Sequence, residues 1–262
     1  MEVHHHSHHP KKWKEYITEF FMLFAAVSLG FFAENIREGY VEKERSHELV
    51  SSFIKDVELN VVFLDSLIKN DKKAMMKSDS IALYIIKTPK DIDLEYVYEI
   101  PIASYRYLSN NDTYDQMKSS GSLRYIKDTM LLSKMIEYSN MSKATEFRSI
   151  VQEYDYTSNE FQNTLNKYIP VEIAANRKRN LFLFPERFFA DSNDRKFYQE
   201  TIDLINDKKF LLPNKILNEF KSEFVPVLYR RTNLISSTMN FMYMTKKSAE
   251  DLLKYYREHY EH

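Results

Sequence analysis

The sequence predicts an all-α protein: a single N-terminal transmembrane helix followed by a long-helix bundle with coiled-coil-like arms. Three observations lead there. The 262 residues include only 3 glycines (Gly30, Gly39 and Gly121) and 7 prolines, too little punctuation for the turns and positive-φ positions of a strand-rich fold. Apolar residues recur at helical spacing through long stretches without either residue. Near the N-terminus, Ile17 to Ala33 reads ITEFFMLFAAVSLGFFA, a run dominated by large apolar side chains.

Composition removes several function classes. A formal charge of -1 gives no overall basicity with which to hold nucleic acid. The absence of cysteine excludes a disulfide framework, a thiolate metal site and a thiol nucleophile. With 19 tyrosines and 18 phenylalanines the chain has ample ring surface for a folded core. Three segments follow: a His/Lys-rich tail over 1–12, a membrane anchor over 13–38 and a helical domain over 39–262.

As a helix, the apolar run covers about 25 Å, a little less than the ~30 Å hydrocarbon core of a bilayer. Trp13 and Tyr16 extend it at one end, where aromatic rings suit the headgroup level, and Asn35 and Arg37 mark the other. Local thinning of the bilayer takes up the remaining mismatch. A cleaved signal peptide competes, but the flank FFAENIRE is bulky and offers no small-x-small cleavage site. An amphipathic surface helix fits worse, because Phe20 to Ala33 is apolar on every face. Lys11, Lys12 and Lys14 precede the run, whereas Arg37, Lys43 and Arg45 follow it more sparsely. The denser cluster places the N-terminus in the cytoplasm and the helical domain outside the inner membrane. Ala26 and Gly30 form a small-xxx-small pair suited to close approach of two copies, and Glu19 and Glu34 would then lie near the membrane surfaces.

His4, His5, His6, His8 and His9 crowd the tail. Neutral imidazoles bind zinc, nickel or copper, so the tail is a candidate weak chelator. No other cofactor is expected.

After Gly39, Leu49, Phe53, Val57, Val61, Leu64 and Ile68 follow at steps of four and three, the apolar face of a helix continuous with the anchor. It is expected to reach Ile86, where Thr88-Pro89 stops it. Asp91 to Leu108 mixes signals and is read as a helix bent at Pro101, with a short strand as the alternative. In SNNDTYDQMKSSGSLRYIKD, Asp112 or Thr113 caps a short helix, and Gly121 closes it with a positive φ. Leu123 and Ile126 then point inward, and Asp128 or Thr129 caps the next helix. Ser119, Ser120, Gly121, Ser122 and Arg124 form a candidate anion-binding turn, against the plainer reading of ordinary turn chemistry. From Thr129 to Tyr168, a face of Phe147, Ile150, Tyr154, Phe161, Leu165 and Tyr168 marks a long helix, with Glu153, Asp155 and Glu160 on a solvated side. Asn176 to Asp194 reads as a connector, and a short helix is expected through Asn206. Leu212-Pro213 opens the last helix, whose face runs from Ile216 through Phe220, Phe224 and Leu228 to Tyr260. Pro226 is expected to bend it, and Met239, Met242 and Met244 read as core filler.

No phosphate-binding loop, dinucleotide fingerprint, HExxH or GxSxG is present, and outside the two ends the only histidine is His47. An enzyme is therefore not expected. The start, running into KKWKEYITEFFMLFAAVSLGFFAENIRE, together with TYDQMKSSGSLRYIKD, resembles a family of bacterial single-pass membrane proteins built on a domain of unknown function. The resemblance implies that histidines and anchor are native, and it brings no activity. The expected role is a membrane-anchored scaffold or interaction protein, homo-oligomeric, with the lipid bilayer and a further membrane protein as its expected partners. The alternative is a membrane sensor or channel component with the His tail as metal ligand.

Overall fold

A computed structural model describes residues 13–101, 106–170, 173 and 210–260. Among these the protein is an all-α helical bundle, with an isolated antiparallel bridge between Asp93 and Leu211 and no strand. The expected His-rich tail, the basic connector over 176–194 and the short helix through Asn206 lie outside the described residues.

Helix α1 runs unbroken from Trp13 to Lys87. Nothing in its 75 residues stops it: Gly30 and Gly39 are isolated among good helix formers. It ends where expected, since Pro89 disfavours helical geometry in Thr88. The short α2 (Leu94–Tyr98) follows, capped by the Asp93 carboxylate, which accepts from the Glu95 amide at 2.9 Å and the Tyr96 amide at 3.3 Å.

By its internal contacts the described chain divides into two units. The first combines α1 up to Phe53 with the segment Asp112–Leu132. There α3 (Asp112–Ser120) ends at Gly121, whose φ of 76° is left-handed, and a 3-10 turn over Ser122–Tyr125 follows. Val50, Phe53, Tyr114, Met117 and Leu131 are buried in this unit, with the Phe53 and Tyr114 rings 5.6 Å apart. Leu123 and Ile126 are only half-buried; the fully buried residue of the turn is Ser122, whose carbonyl accepts from the Ser46 hydroxyl at 3.1 Å. A Cβ at Gly121 would meet nothing within 4 Å, so Gly121→Ala meets only the backbone penalty. It is expected to lower stability by about 1–2 kcal/mol in chemical denaturation, and an unchanged midpoint would contradict that.

The second unit combines Ile54–Asn111 with the chain from Ser133 onwards. Helix α4 (Thr129–Phe147) starts on Asp128, whose carboxylate accepts from the Met130 and Leu131 amides at 2.9 and 3.0 Å. It passes without a break into π-helical stretches over Arg148–Tyr154 and Thr157–Phe161, then α5 (Gln162–Tyr168). A 3-10 turn over Asn214–Ile216 leads into α6 (Leu217–Tyr260), which carries Pro226 within it. The larger apolar cluster joins Ile81 and Ile85 of α1, α2, Phe161 and Leu165, and Phe220, Phe224 and Leu228 of α6. A smaller one joins Leu64, Leu67 and Ile68 to Tyr107 and Met242.

Three expectations are corrected here. Asp91–Leu108 is not one bent helix: α2 is 5 residues long and residues 106–111 are irregular. Side chains take over from backbone pairing there. Asn60 donates to the Asn110 carbonyl at 2.9 Å while its own carbonyl accepts from the Asn110 amide at 3.0 Å, and the Tyr107 amide donates to the Ser149 hydroxyl at 2.9 Å. Phe147 is exposed, and Ile150 and Tyr154 are only half-buried. Met239 and Met242 are core residues as expected, but Met244 is exposed.

Candidate functional site

The buried face of the α4–α5 segment is polar where an apolar one was expected. Thr145, Ser149, Glu153 and Thr157 are each no more than 1% exposed and continue into buried Phe161 and Leu165. These positions are all four residues apart. Steps of four drift by about 40° each around an ideal α-helix, which would spread the set over about 200°. The π register removes the drift. The Asp155 amide donates to the Ile150 carbonyl and the Gln162 amide to the Thr157 carbonyl, each five residues back. Helix widening of this kind recurs at functional sites.

Opposite this face, α1 presents Asp71 and Ser78, and α6 presents Arg231, all at most 3% exposed. Along each helix these polar residues fall between the two apolar clusters: Asp71 and Ser78 between Ile68 and Ile81, Glu153 and Thr157 ahead of Phe161, Arg231 just past Leu228. The result is a polar layer between two apolar clusters.

Arg231 organises the layer. Its guanidinium donates to the Ser78 hydroxyl at 3.3 Å and to the Pro101 carbonyl, and its centre lies 4.8 Å from the Phe161 ring. Asp71 feels Glu153 and Arg231 electrostatically. Burial first, and the Glu153 charge second, push its carboxyl up to about 8 against the pull of Arg231. The Asp71 Oδ2 and Thr157 Oγ1 atoms are buried with no hydrogen-bond partner. Asp71, Glu153 and Arg231 thus bring two carboxyls and one guanidinium into one buried layer. Chemically, the layer holds a proton on Asp71 well above the usual carboxylate range.

Next to it lies a neutral network. The Tyr107 and Ser142 hydroxyls are 2.8 Å apart, and Asn60 donates to the Tyr138 hydroxyl at 2.9 Å. Burial raises both phenols well above the ordinary tyrosine value, so they serve as neutral hydrogen-bonding groups. Thr145 and Thr245 bring α4 and α6 together through hydroxyls 2.7 Å apart.

The residues singled out from sequence lie elsewhere. His4, His5, His6, His8 and His9 are outside the described residues, and among those described no group of His, Asp or Glu is arranged to hold a metal. Ala26 and Gly30 sit on the exposed part of α1, with open space around Gly30. Glu19 is half-buried, and Glu34 accepts from the Arg37 guanidinium at 3.0 Å within its own helix. In the serine turn, Ser119 donates to the Gln116 carbonyl at 3.1 Å, and Ser120 and Ser122 share a hydrogen bond of 2.8 Å. Arg124 donates to the Tyr125 hydroxyl at 2.7 Å. These bonds hold the turn from within the chain.

Sequence reasoning placed Glu153 on a solvated face, and the structure overturns that: Glu153 is 1% exposed, while Asp155 and Glu160 are exposed as expected. Asp71 and Arg231 were not singled out. The usable signal was phase. Asp71 and Ser78 continue the α1 core positions Leu64, Ile68 and Ile81, and Arg231 falls between Leu228 and Ile235. No protein family, curated protein or solved structure matches the chain. A functional reading therefore rests on the residues alone.

Proposed function

We propose that the protein is a membrane-anchored helical scaffold that presents its bundle to partners at the bilayer surface, with other copies of itself among them. The observation that carries the reading is the start of α1. It is the one helix among the described residues long and apolar enough to cross a membrane, and its apolar stretch is not buried anywhere in the protein. Phe20, Phe21, Met22, Leu23 and Phe24 are consecutive and all exposed. At about 100° per residue they cover the whole circumference of the helix. Such a surface has no polar side to offer water, and a bilayer solvates it on every side. Glu34 and Arg37 pair with each other at the far end of the run, which reduces the cost of holding charge near the interface. The lysines before the run support an N-terminus in the cytoplasm.

Fractionation tests this reading. The full chain is expected to stay in the membrane pellet after alkaline carbonate washing and to be released by detergent. Its intact mass should show that nothing is cleaved near Ala33. Leu23→Arg with Ala26→Arg puts two charges at the centre of the run, costing about 2.5–3.5 kcal/mol each, and should shift the protein out of the pellet. Release of the unaltered chain by carbonate, or a mature terminus beyond Ala33, would overturn the anchor.

A further inference from the structure

We propose that the basic turn between α3 and α4 is a membrane-docking surface: Lys43, Arg124 and Lys127 lay that end of the first unit on the phosphate headgroups of an anionic bilayer. This surface presupposes the anchor and adds to it a second point of contact with lipid.

The turn lies at the end of the first unit nearest the apolar run. The Phe53 ring of α1 packs 5.6 Å from the Tyr114 ring of α3. About two turns earlier in α1, Ser46 donates to the Ser122 carbonyl at 3.1 Å. Helix α3 therefore runs antiparallel to α1 and carries Gly121–Lys127 towards the anchor. Beyond that level α1 is bare: Arg37 to Val41 are all exposed, and Glu42 is partly covered. Exposed Ile36 continues the apolar run past Ala33, and exposed Tyr40 has the ring that suits a headgroup layer. From Ile36 to Glu42 the helix rises about 9 Å, close to the ~5–8 Å depth of the polar layer on either side of the hydrocarbon. Long basic side chains at the turn extend across what remains.

Charge complements that position. Gln116 to Lys127 contains Lys118, Arg124 and Lys127 and no acid, and all three cations are exposed. Among the described residues none of them pairs with a carboxylate; Arg124 leans on the hydroxyl and ring of the adjacent Tyr125. Lys43, one helical turn before Ser46 and so on the same side of α1, is likewise exposed and has no carboxylate partner among them. The arginines of this stretch of α1 are occupied instead, Arg37 with Glu34 and Arg45 with Glu42. Its remaining acids are turned elsewhere. Glu38 acts on Arg37, and Glu44 and Glu48, two positions to either side of Ser46, face about 160° away from the turn. Asp128, which follows the turn, caps α4. The serine hydroxyls bond within the chain, so the turn offers outward cations to a charged surface rather than a cradle for a single phosphate.

Reconstitution of the full chain into vesicles tests the docking. The sequence has no cysteine, so Ser119→Cys, exposed beside the turn, takes a single bimane fluorophore. The vesicles are pure phosphatidylcholine or phosphatidylcholine mixed with phosphatidylglycerol, each with a nitroxide on a fraction of the headgroups. The nitroxide should quench the label strongly in the mixed vesicles and much less in the pure ones. Each cation at an anionic surface shifts the docked-to-undocked ratio about fivefold, so Arg124→Gln with Lys127→Gln should lower that ratio roughly 25-fold. Added salt should lower it without any substitution in the turn, which decides the matter if the double variant folds poorly. Flotation of the same vesicles reports the anchor separately. A chain that fails to float overturns the anchor, and the docking with it. A chain that floats overturns the docking alone if its label is not quenched, or is quenched equally in the two lipids, in the double variant or at high salt.

Discussion

Arg231→Met is expected to lower the unfolding free energy by about 3–5 kcal/mol near neutral pH. The guanidinium is 1% exposed and is the positive member of a layer that also holds Asp71 and Glu153. Methionine fills much of the same volume and keeps contact with Phe161, so packing accounts for little of the loss. The cost arises because Ser78 and the Pro101 carbonyl lose their donor and the acids lose their counter-charge. Acidification should reduce the deficit, since protonated carboxyls no longer need the guanidinium. Urea denaturation in a mild detergent, followed by far-ultraviolet circular dichroism at pH 5 and pH 8, measures both. A loss under about 1 kcal/mol at pH 8, or a deficit equal at the two pH values, would show that Arg231 does not neutralise the layer. Arg231→Lys keeps the charge but loses the planar fork, and should fall between the two proteins.

The second large effect has the opposite sign. The Asp71 carboxyl has an ordinary value of 3.8 and is raised to about 8 in the folded protein. Between those values the folded state holds a proton that the unfolded state has released. The protein is therefore most stable, as far as this group is concerned, below the lower value. Stability then declines as pH rises, by at most about 1.4 kcal/mol per unit, and becomes flat above the upper value. Asp71→Asn removes the decline. At pH 7 it should stabilise the protein by as much as about 4 kcal/mol relative to the unaltered chain, less whatever the amide loses by imperfect hydrogen bonding. Denaturation midpoints at half-unit steps from pH 4 to pH 9 are the measurement. Parallel profiles for the two proteins would show that Asp71 is ionised in the fold throughout, contrary to its burial.

How much of this was legible beforehand depends on what each residue signals locally. The scarcity of glycine and proline predicted helices throughout, and the few breakers that exist act where they stand. Thr88-Pro89 ends α1, Gly121 takes the left-handed position after α3, and Leu212-Pro213 precedes α6. Phe53, Val57, Leu64 and Ile68 are buried as their spacing implied. These features are visible because each is decided within a few residues. The polar layer is not decided locally. Glu153 looks like any surface glutamate, and the neighbouring Phe147, Ile150 and Tyr154 advertise an α-periodic face that the protein does not bury. Glu153 meets Asp71 and Arg231 in one buried layer although they lie 82 and 78 residues away in sequence. The irregular segment 106–111 escaped for a similar reason, since its amides are satisfied by Asn60 and Ser149 rather than by near neighbours.

The widened stretch between Arg148 and Phe161 also bears on how this helix tolerates changes in length. Elsewhere in α4 or α6, deleting one residue would rotate everything beyond it by about 100° and bring core side chains to the surface. A residue deleted within 148–154 instead converts i→i+5 bonds into ordinary i→i+4 bonds, and the helix on either side keeps its phase. Single-residue deletions scanned along residues 133–168 should therefore be tolerated within 148–154 and 157–161 and rejected before 148 and after 161.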